Sequence, residues 1–243
     1  MAAVCLNGKQ WPDPANTNAS GLEAAARTTQ FIKRGIFSPG PNAYSFGSVS
    51  DGLSNTIAFS ETGIMDPREH QDGNPASRRA IRGGRFAVNP VTNNWRLEVN
   101  PSLRPVDCLN SRDPMDRNLH QWVNFNGGSV ERGLQRWDGR AGVMWFDTVL
   151  PPNAPTCGTQ TDGPNLLTAN SHHSGGVNVS FADGSVRFVS DTVDTGDLTI
   201  PARLGHPGAA NDGRPANNFG TGHSAYGVWG AMGSKDGGES RSL

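Results

Sequence analysis

The segment that most constrains this chain alternates apolar and polar residues around one Asp-Gly pair. In Val177-Asn-Val-Ser-Phe181 the two classes alternate, Asp183-Gly184 follows, and a second apolar stretch runs from Val186 to Val189. A period of two marks a strand with one buried face. Asp-Gly tolerates the positive φ that both centres of a tight hairpin turn require. The pattern therefore predicts a two-residue loop, with Phe181 facing Val186 and Val179 facing Phe188. In that register those four side chains share one face, Ser180 and Arg187 take the other, and the hairpin covers a core on one side only.

The other apolar segments are equally short: Thr56-Ile-Ala-Phe59, Arg85-Phe-Ala-Val88 and Gly142-Val-Met-Trp-Phe146. They are separated by turn signals such as Asp51-Gly52, Asp72-Gly73 and Gly127-Gly128, as expected for an antiparallel sheet with long surface loops. With 31 glycines and 17 prolines in 243 residues, long helices are broken everywhere. Coiled coils, helix bundles and helical solenoids are poor readings. One helix is expected: Ser20-Gly-Leu-Glu23 resembles a capping box, helix formers continue from Leu22 to Arg34, and Gly35 supplies a stop. The expected fold class is α+β, an antiparallel sheet with long loops and little helix. Residues 1–47 read as an irregular amino-terminal segment carrying that short helix, and 48–243 as a single globular domain. The stretches 100–140 and 201–222 show no period and read as loop.

The formal charge is −1, so no overall field draws the chain to nucleic acid or to an anionic membrane. No stretch approaches the roughly eighteen apolar residues of a membrane span, and the amino end, Met1-Ala-Ala-Val-Cys-Leu, lacks the features of a secretory signal. Cys5, Cys108 and Cys157 contain no Cys-x-x-Cys spacing, which disfavours a zinc ribbon or thioredoxin-type site. Cys108 and Cys157 both lie in proline-rich loop sequence, where a bridge between them would close a loop of 49 positions (157 − 108). That bridge is the expected state, and two unpaired thiols are the alternative.

Candidate sites each have a plainer reading. His172-His173 is the only histidine pair. No His-x-x-x-His accompanies it, so a metal-dependent hydrolase built on His172, His173 and Asp183 would need ligands gathered from distant loops. A histidine before Ser-Gly-Gly can equally hold the loop backbone at the start of a strand. Asp191, Asp194 and Asp197 fail the calcium-loop template and read as a solvated turn. The nearest approach to Gly-x-Ser-x-Gly, Gly222 to Gly227, is one residue too long, and nothing in the spacing brings Cys157 to His173. Arg78, Arg79, Arg82 and Arg85 crowd into eight residues; they would suit phosphate or an acidic surface, or form a solvated loop. Among the six tryptophans, Trp122, Trp145 and Trp229 are candidates for stacking on sugar rings, while the plainer role for these and for Trp95 and Trp137 is packing beneath loops. No catalytic, metal-ligating or cofactor-binding set emerges, and no cofactor is expected.

One stretch is more specific. Ser171-His-His173-Ser-Gly175-Gly176-Val-Asn-Val-Ser-Phe-Ala-Asp183-Gly184 places a histidine nine residues before Asp-Gly. It resembles the carboxy-terminal H-X9-DG motif of a bacterial prepilin-like family, domain of unknown function 1559. Three more blocks agree in order. Asp51-Gly52-Leu-Ser54-Asn55-Thr56 followed by Glu61 is similar to that family's Asp-Gly-x-Ser-Asn-Thr block. Leu150-Pro-Pro-Asn-Ala-Pro-Thr-Cys157 is similar to its Pro-Asn-x-x-x-Cys block. Tyr226-Gly-Val-Trp229-Gly230 through Glu239 is similar to its ending.

Members typically begin with a prepilin methylation site and a long hydrophobic helix. This chain resembles the carboxy-terminal two-thirds of such a protein, without its anchor. The resemblance implies a pilin-like, non-enzymatic protein of the type II secretion or type IV pilin kind, outside the cytoplasm. Its partners would be other pilin-like subunits or extracellular glycans. In this reading the motif is architectural: Asp183 accepts a turn amide, Gly184 supplies positive φ, and His173 fixes the start of the strand.

Overall fold

The computed structural model describes residues 35–37, 44–64, 80–82, 86–87, 104–121, 144–158, 165–199 and 224–238. The expected helix at 22–34 and the expected loop at 201–222 lie outside them. Among the described residues six short strands form two sheets: β1 (Ile57–Ser60), β2 (Phe86–Ala87), β3 (Thr156–Gly158), β4 (Asn165–Leu166), β5 (Gly176–Phe181) and β6 (Val186–Ser190). The first sheet is antiparallel with order β1-β5-β6. The second has order β2-β3-β4, and its β2–β3 pair is parallel, a departure from the purely antiparallel expectation.

The hairpin forms where it was expected, but its register is one residue away from the predicted one. The loop holds three residues, Ala182 to Gly184: Phe181 N–H donates to Ser185 O at 2.8 Å and Gly184 N–H to Phe181 O at 3.0 Å. Gly184 takes φ +87°, the left-handed position that closes a three-residue hairpin loop. Asp183 Oδ1 holds the turn by accepting from Ser185 N–H at 2.9 Å and Ser185 Oγ at 2.7 Å. With a period of two, one residue of slip turns the whole of β6 over. Asn178 now pairs with Phe188, Val179 with Arg187 and Ser180 with Val186. Val179 and Phe188 therefore lie on opposite faces, and Val186 and Phe188 are exposed.

The buried face consists of Val177, Val179, Phe181 and Val189. Arg187, beside Val179, lays its guanidinium 4.6 Å from the centre of the Phe181 ring and donates to Ser54 O at 3.4 Å. Phe188 has its own use on the outer face. Its ring covers Gly176, where a Cβ would lie 2.7 Å from Phe188 Cζ and 2.1 Å from Val189 O.

Two helices appear where no helix was expected. α1 (Pro105–Leu109) lies within the stretch read as loop. Proline at its first position presets φ, and Asp107 Oδ2 accepts the Arg104 N–H at 3.2 Å, so an acidic residue in the first turn replaces the usual Ser or Thr cap. α2 (Gly227–Met232) starts on Asp194, whose carboxylate accepts Val228 N–H at 3.3 Å and whose carbonyl accepts Trp229 N–H at 2.9 Å. No helix among the described residues is long and apolar enough to cross a membrane.

Gly142–Phe146 was expected as a strand, and its described part, Met144 to Phe146, is not one. The next residue explains this. Asp147 accepts Leu167 N–H at 2.6 Å and Val149 N–H at 3.2 Å through its side chain, so a side chain takes amides that a ladder would use. Among the described residues an isolated parallel bridge pairs Asp147 with Thr168.

Two apolar clusters result. One lies under the first sheet and joins Ile57, Phe146, Val177, Val179, Phe181 and Val189 to Trp229 and Met232 of α2. The other surrounds a Cys108–Cys157 disulfide with Val149, Leu150, Ala154, Leu166 and Tyr226. The expected bridge thus links α1 to β3 across 49 positions, with a Cα–Cα distance of 6.0 Å.

Candidate functional site

The motif residues meet at both ends of the first sheet. At the start of β5, Glu61 leaves the end of β1 and faces the chain across from it. Its Oε2 accepts Asn178 N–H at 2.8 Å, and its Oε1 accepts Asn178 Nδ2 at 3.1 Å and meets His173 Nε2 at 3.1 Å. Burial alone would raise the Glu61 carboxyl. The Asn178 backbone and side-chain hydrogen bonds and the nearby His173 outweigh it, and the carboxyl sits below the usual glutamate range. His173 is thereby held at the strand's start, and its carbonyl accepts Arg82 Nη1 at 3.1 Å.

Asn153, one of the few non-glycine residues able to adopt a left-handed backbone cheaply, sits behind this junction at φ +59°. Its buried amide donates to Gly176 O at 3.2 Å and accepts Ser171 N–H at 2.9 Å. Ser171 Oγ in turn donates to Gly176 O at 2.7 Å and accepts His173 N–H at 3.1 Å. The Pro-Pro-Asn sequence was the available signal for Asn153, whose role sequence reasoning missed.

At the other end, Asp51 is buried and its two oxygens take separate backbone amides, Gly237 N–H at 2.7 Å and Gly238 N–H at 2.9 Å. Thr56 Oγ1 reaches Gly52 O at 3.0 Å and Ser234 O at 3.3 Å, and Asn55 Nδ2 donates to Asp51 O at 3.1 Å. Ser54 is exposed and contributes its carbonyl to Arg187. Trp229 is fully buried, and its Nε1–H donates to Leu150 O at 2.9 Å. Gly230 packs against Ser224 and Tyr226, and Glu239 lies outside the described residues. His173 and Asp183 stand at opposite ends of β5 and do not form a pair. Asp183 is spent on its own turn, and hydrogen bonds from the Ser185 hydroxyl and then the Ser185 amide hold its carboxyl below the usual aspartate range.

The other candidates disperse. Trp145 and Trp229 are both buried, so neither offers a ring to a sugar; Trp122, Trp95 and Trp137 lie outside the described residues. Among the described residues no three His, Cys, Asp or Glu side chains gather as a metal site. His172 is exposed, and Cys157 is in the disulfide and cannot act as a thiolate beside His173. Of the acidic triple, Asp194 and Asp197 hold local turns through Gly196 N–H and Thr199 N–H. Arg78, Arg79 and Arg85 lie outside the described residues, and Arg82 joins the His173 loop.

Among the described residues the arrangement consists of hydrogen-bonded joints between remote blocks. A family model described as "Protein of unknown function (DUF1559)" matches residues 3–196. No curated protein and no solved structure matches the chain significantly.

Proposed function

Because the chain belongs to the DUF1559 family of proteins of unknown function, we propose that it is a non-enzymatic, pilin-like structural or interaction protein outside the cytoplasm, in which the H-X9-DG motif closes the fold. The observation that carries this reading is the use of the motif side chains. Asp51, Thr56, Glu61, Asn153, Asp183 and Trp229 all direct their polar atoms at backbone groups of this chain. Groups already committed to backbone partners are poor acids, bases or nucleophiles, and removing them leaves the buried ones among those partners unsatisfied. The Cys108–Cys157 bridge supports the location, since such bonds persist in oxidising compartments. Other pilin-like subunits or extracellular glycans are the partners this reading implies.

The test is made on intact cells that express the gene from its own locus. Protease added outside should degrade the protein, and thiol labelling under denaturant should leave Cys108 and Cys157 unmodified. Protection from protease until lysis, together with labelling of both cysteines, would overturn the location.

A further inference from the structure

Beside the His173 loop lie three arginines, none of which forms an ion pair with a carboxylate among the described residues. Ala80 and Leu119 form an antiparallel bridge, and Ile81 N–H donates to Asn118 O at 2.9 Å. On the far side of the same segment, Arg112 bridges His120, Asp113 N–H donates to Leu119 O at 2.9 Å, and Gln121 N–H to Ser111 O at 2.7 Å. Three neighbouring segments therefore carry Arg82, Arg112 and Arg117, and Arg82 and Arg112 both reach carbonyls of the junction that Ser171 makes with Asn153 and His173.

Their satisfaction is poor. Arg82 and Arg112 each reach one neutral carbonyl, His173 O and Asn153 O, both at 3.1 Å. Arg112 Nε is buried with no hydrogen-bond partner among the described residues, and Arg117 is exposed, with no hydrogen bond or ion pair to a described residue. The nearby carboxylates are committed elsewhere: Asp113 Oδ1 accepts Met115 and Asp116 N–H, and Asp116 Oδ1 accepts Asn118 N–H and Nδ2. Burial first, then repulsion by Arg117 and by Arg82, pulls the Arg112 guanidinium below its usual value, with Asp191 alone opposing. Like charges gathered around a half-buried guanidinium cost free energy unless an anion joins them.

We propose that Arg82, Arg112 and Arg117 form a binding site for a doubly charged oxoanion, a sulfate or phosphate group. A guanidinium offers a fork of donors that matches such oxygens. Three positive charges set against Asp191 are better balanced by a dianion than by a single carboxylate. The site is independent of the architectural role assigned to the motif, and touches it only through the His173 carbonyl.

The experiment is calorimetric titration of the whole chain with sodium sulfate and sodium phosphate, at ionic strength matched with sodium chloride, and with sodium acetate as the planar comparison. Saturable binding of sulfate or phosphate, weakened about tenfold or more in Arg117→Ala, is expected. Arg117 is exposed and has no partner to lose among the described residues, so that variant should melt as the wild type does. Arg82→Ala provides a second reading of the same site. Methyl phosphate, a dianion at about pH 8, and methyl sulfate, a monoanion, titrated in parallel test the charge requirement: the phosphate ester should bind and the sulfate ester should bind more weakly. No saturable binding, equal binding in Arg117→Ala, or acetate binding as tightly as sulfate and phosphate would each overturn the proposal.

Discussion

Replacing Asp51 by alanine removes the joint between the Asp-Gly-x-Ser-Asn-Thr block and the carboxy-terminal segment. The side chain is 6% exposed, and its two oxygens hold the amides of Gly237 and Gly238 at 2.7 and 2.9 Å. Hydrogen bonds to a charged acceptor are worth about 1.5–3 kcal/mol each, and a buried amide left without a partner keeps its desolvation cost. Taking the low end for both gives about 3 kcal/mol, or a fall in Tm of roughly 6–12 °C for a chain of this size. Urea unfolding followed by circular dichroism measures this directly. The midpoint should fall while the slope stays constant, because the surface exposed on unfolding is unchanged. A stability within about 0.5 kcal/mol of wild type, the range of an ordinary surface substitution, would refute the claim that Asp51 closes the fold.

The disulfide offers a second test: Cys108→Ala with Cys157→Ala should cost up to about 4 kcal/mol by loop entropy, read as a lowered urea midpoint. Gly176→Ala should be strongly destabilising, since its Cβ would meet Val189 O and the Phe188 ring, whereas Gly184→Ala, with open space around it, should lose only about 1–2 kcal/mol from its positive φ; paired melting curves compare them. The Glu61 carboxyl is depressed in the folded state, so its contribution is fully present above the usual glutamate range and is lost as pH falls through the lower folded value. Glu61→Gln should accordingly flatten the acid limb of a Tm-against-pH plot and leave its neutral-pH slope unaltered.

The alternating run at Val177–Phe181 was legible because a half-buried strand must show that period, and the Asp-Gly pair located the turn. What the pair could not specify is whether two or three residues form the loop. That choice depends on the Asp183–Ser185 bonds, which are local to the turn, and on Phe188 covering Gly176 from across the hairpin. β1 was legible by its apolar content, whereas β3 and β4, at two or three residues each, carry too few side chains to display a period. α1 and α2 were invisible for a related reason: five or six residues give barely one turn and a half of pattern. At the site, the block order identified Asp51, Glu61, His173 and Asp183, but the pairing of Glu61 with His173 and Asn178 spans 112 and 117 positions. No local rule connects residues so far apart. The buried Trp229 illustrates the same limit from the opposite side, since a ring suited to a sugar and a ring suited to a core are the same residue in sequence.

Amide hydrogen exchange, read residue by residue, tests the central claim most directly, because the motif carboxylates act through named N–H groups. The amides of Asn178, Gly237 and Gly238 accept protection only if Glu61 and Asp51 hold them. The account predicts slow exchange at all three in the wild type, and selective loss of protection at Gly237 and Gly238 in Asp51→Ala. Exchange of these amides at the rate of an unstructured peptide in the wild type would contradict it.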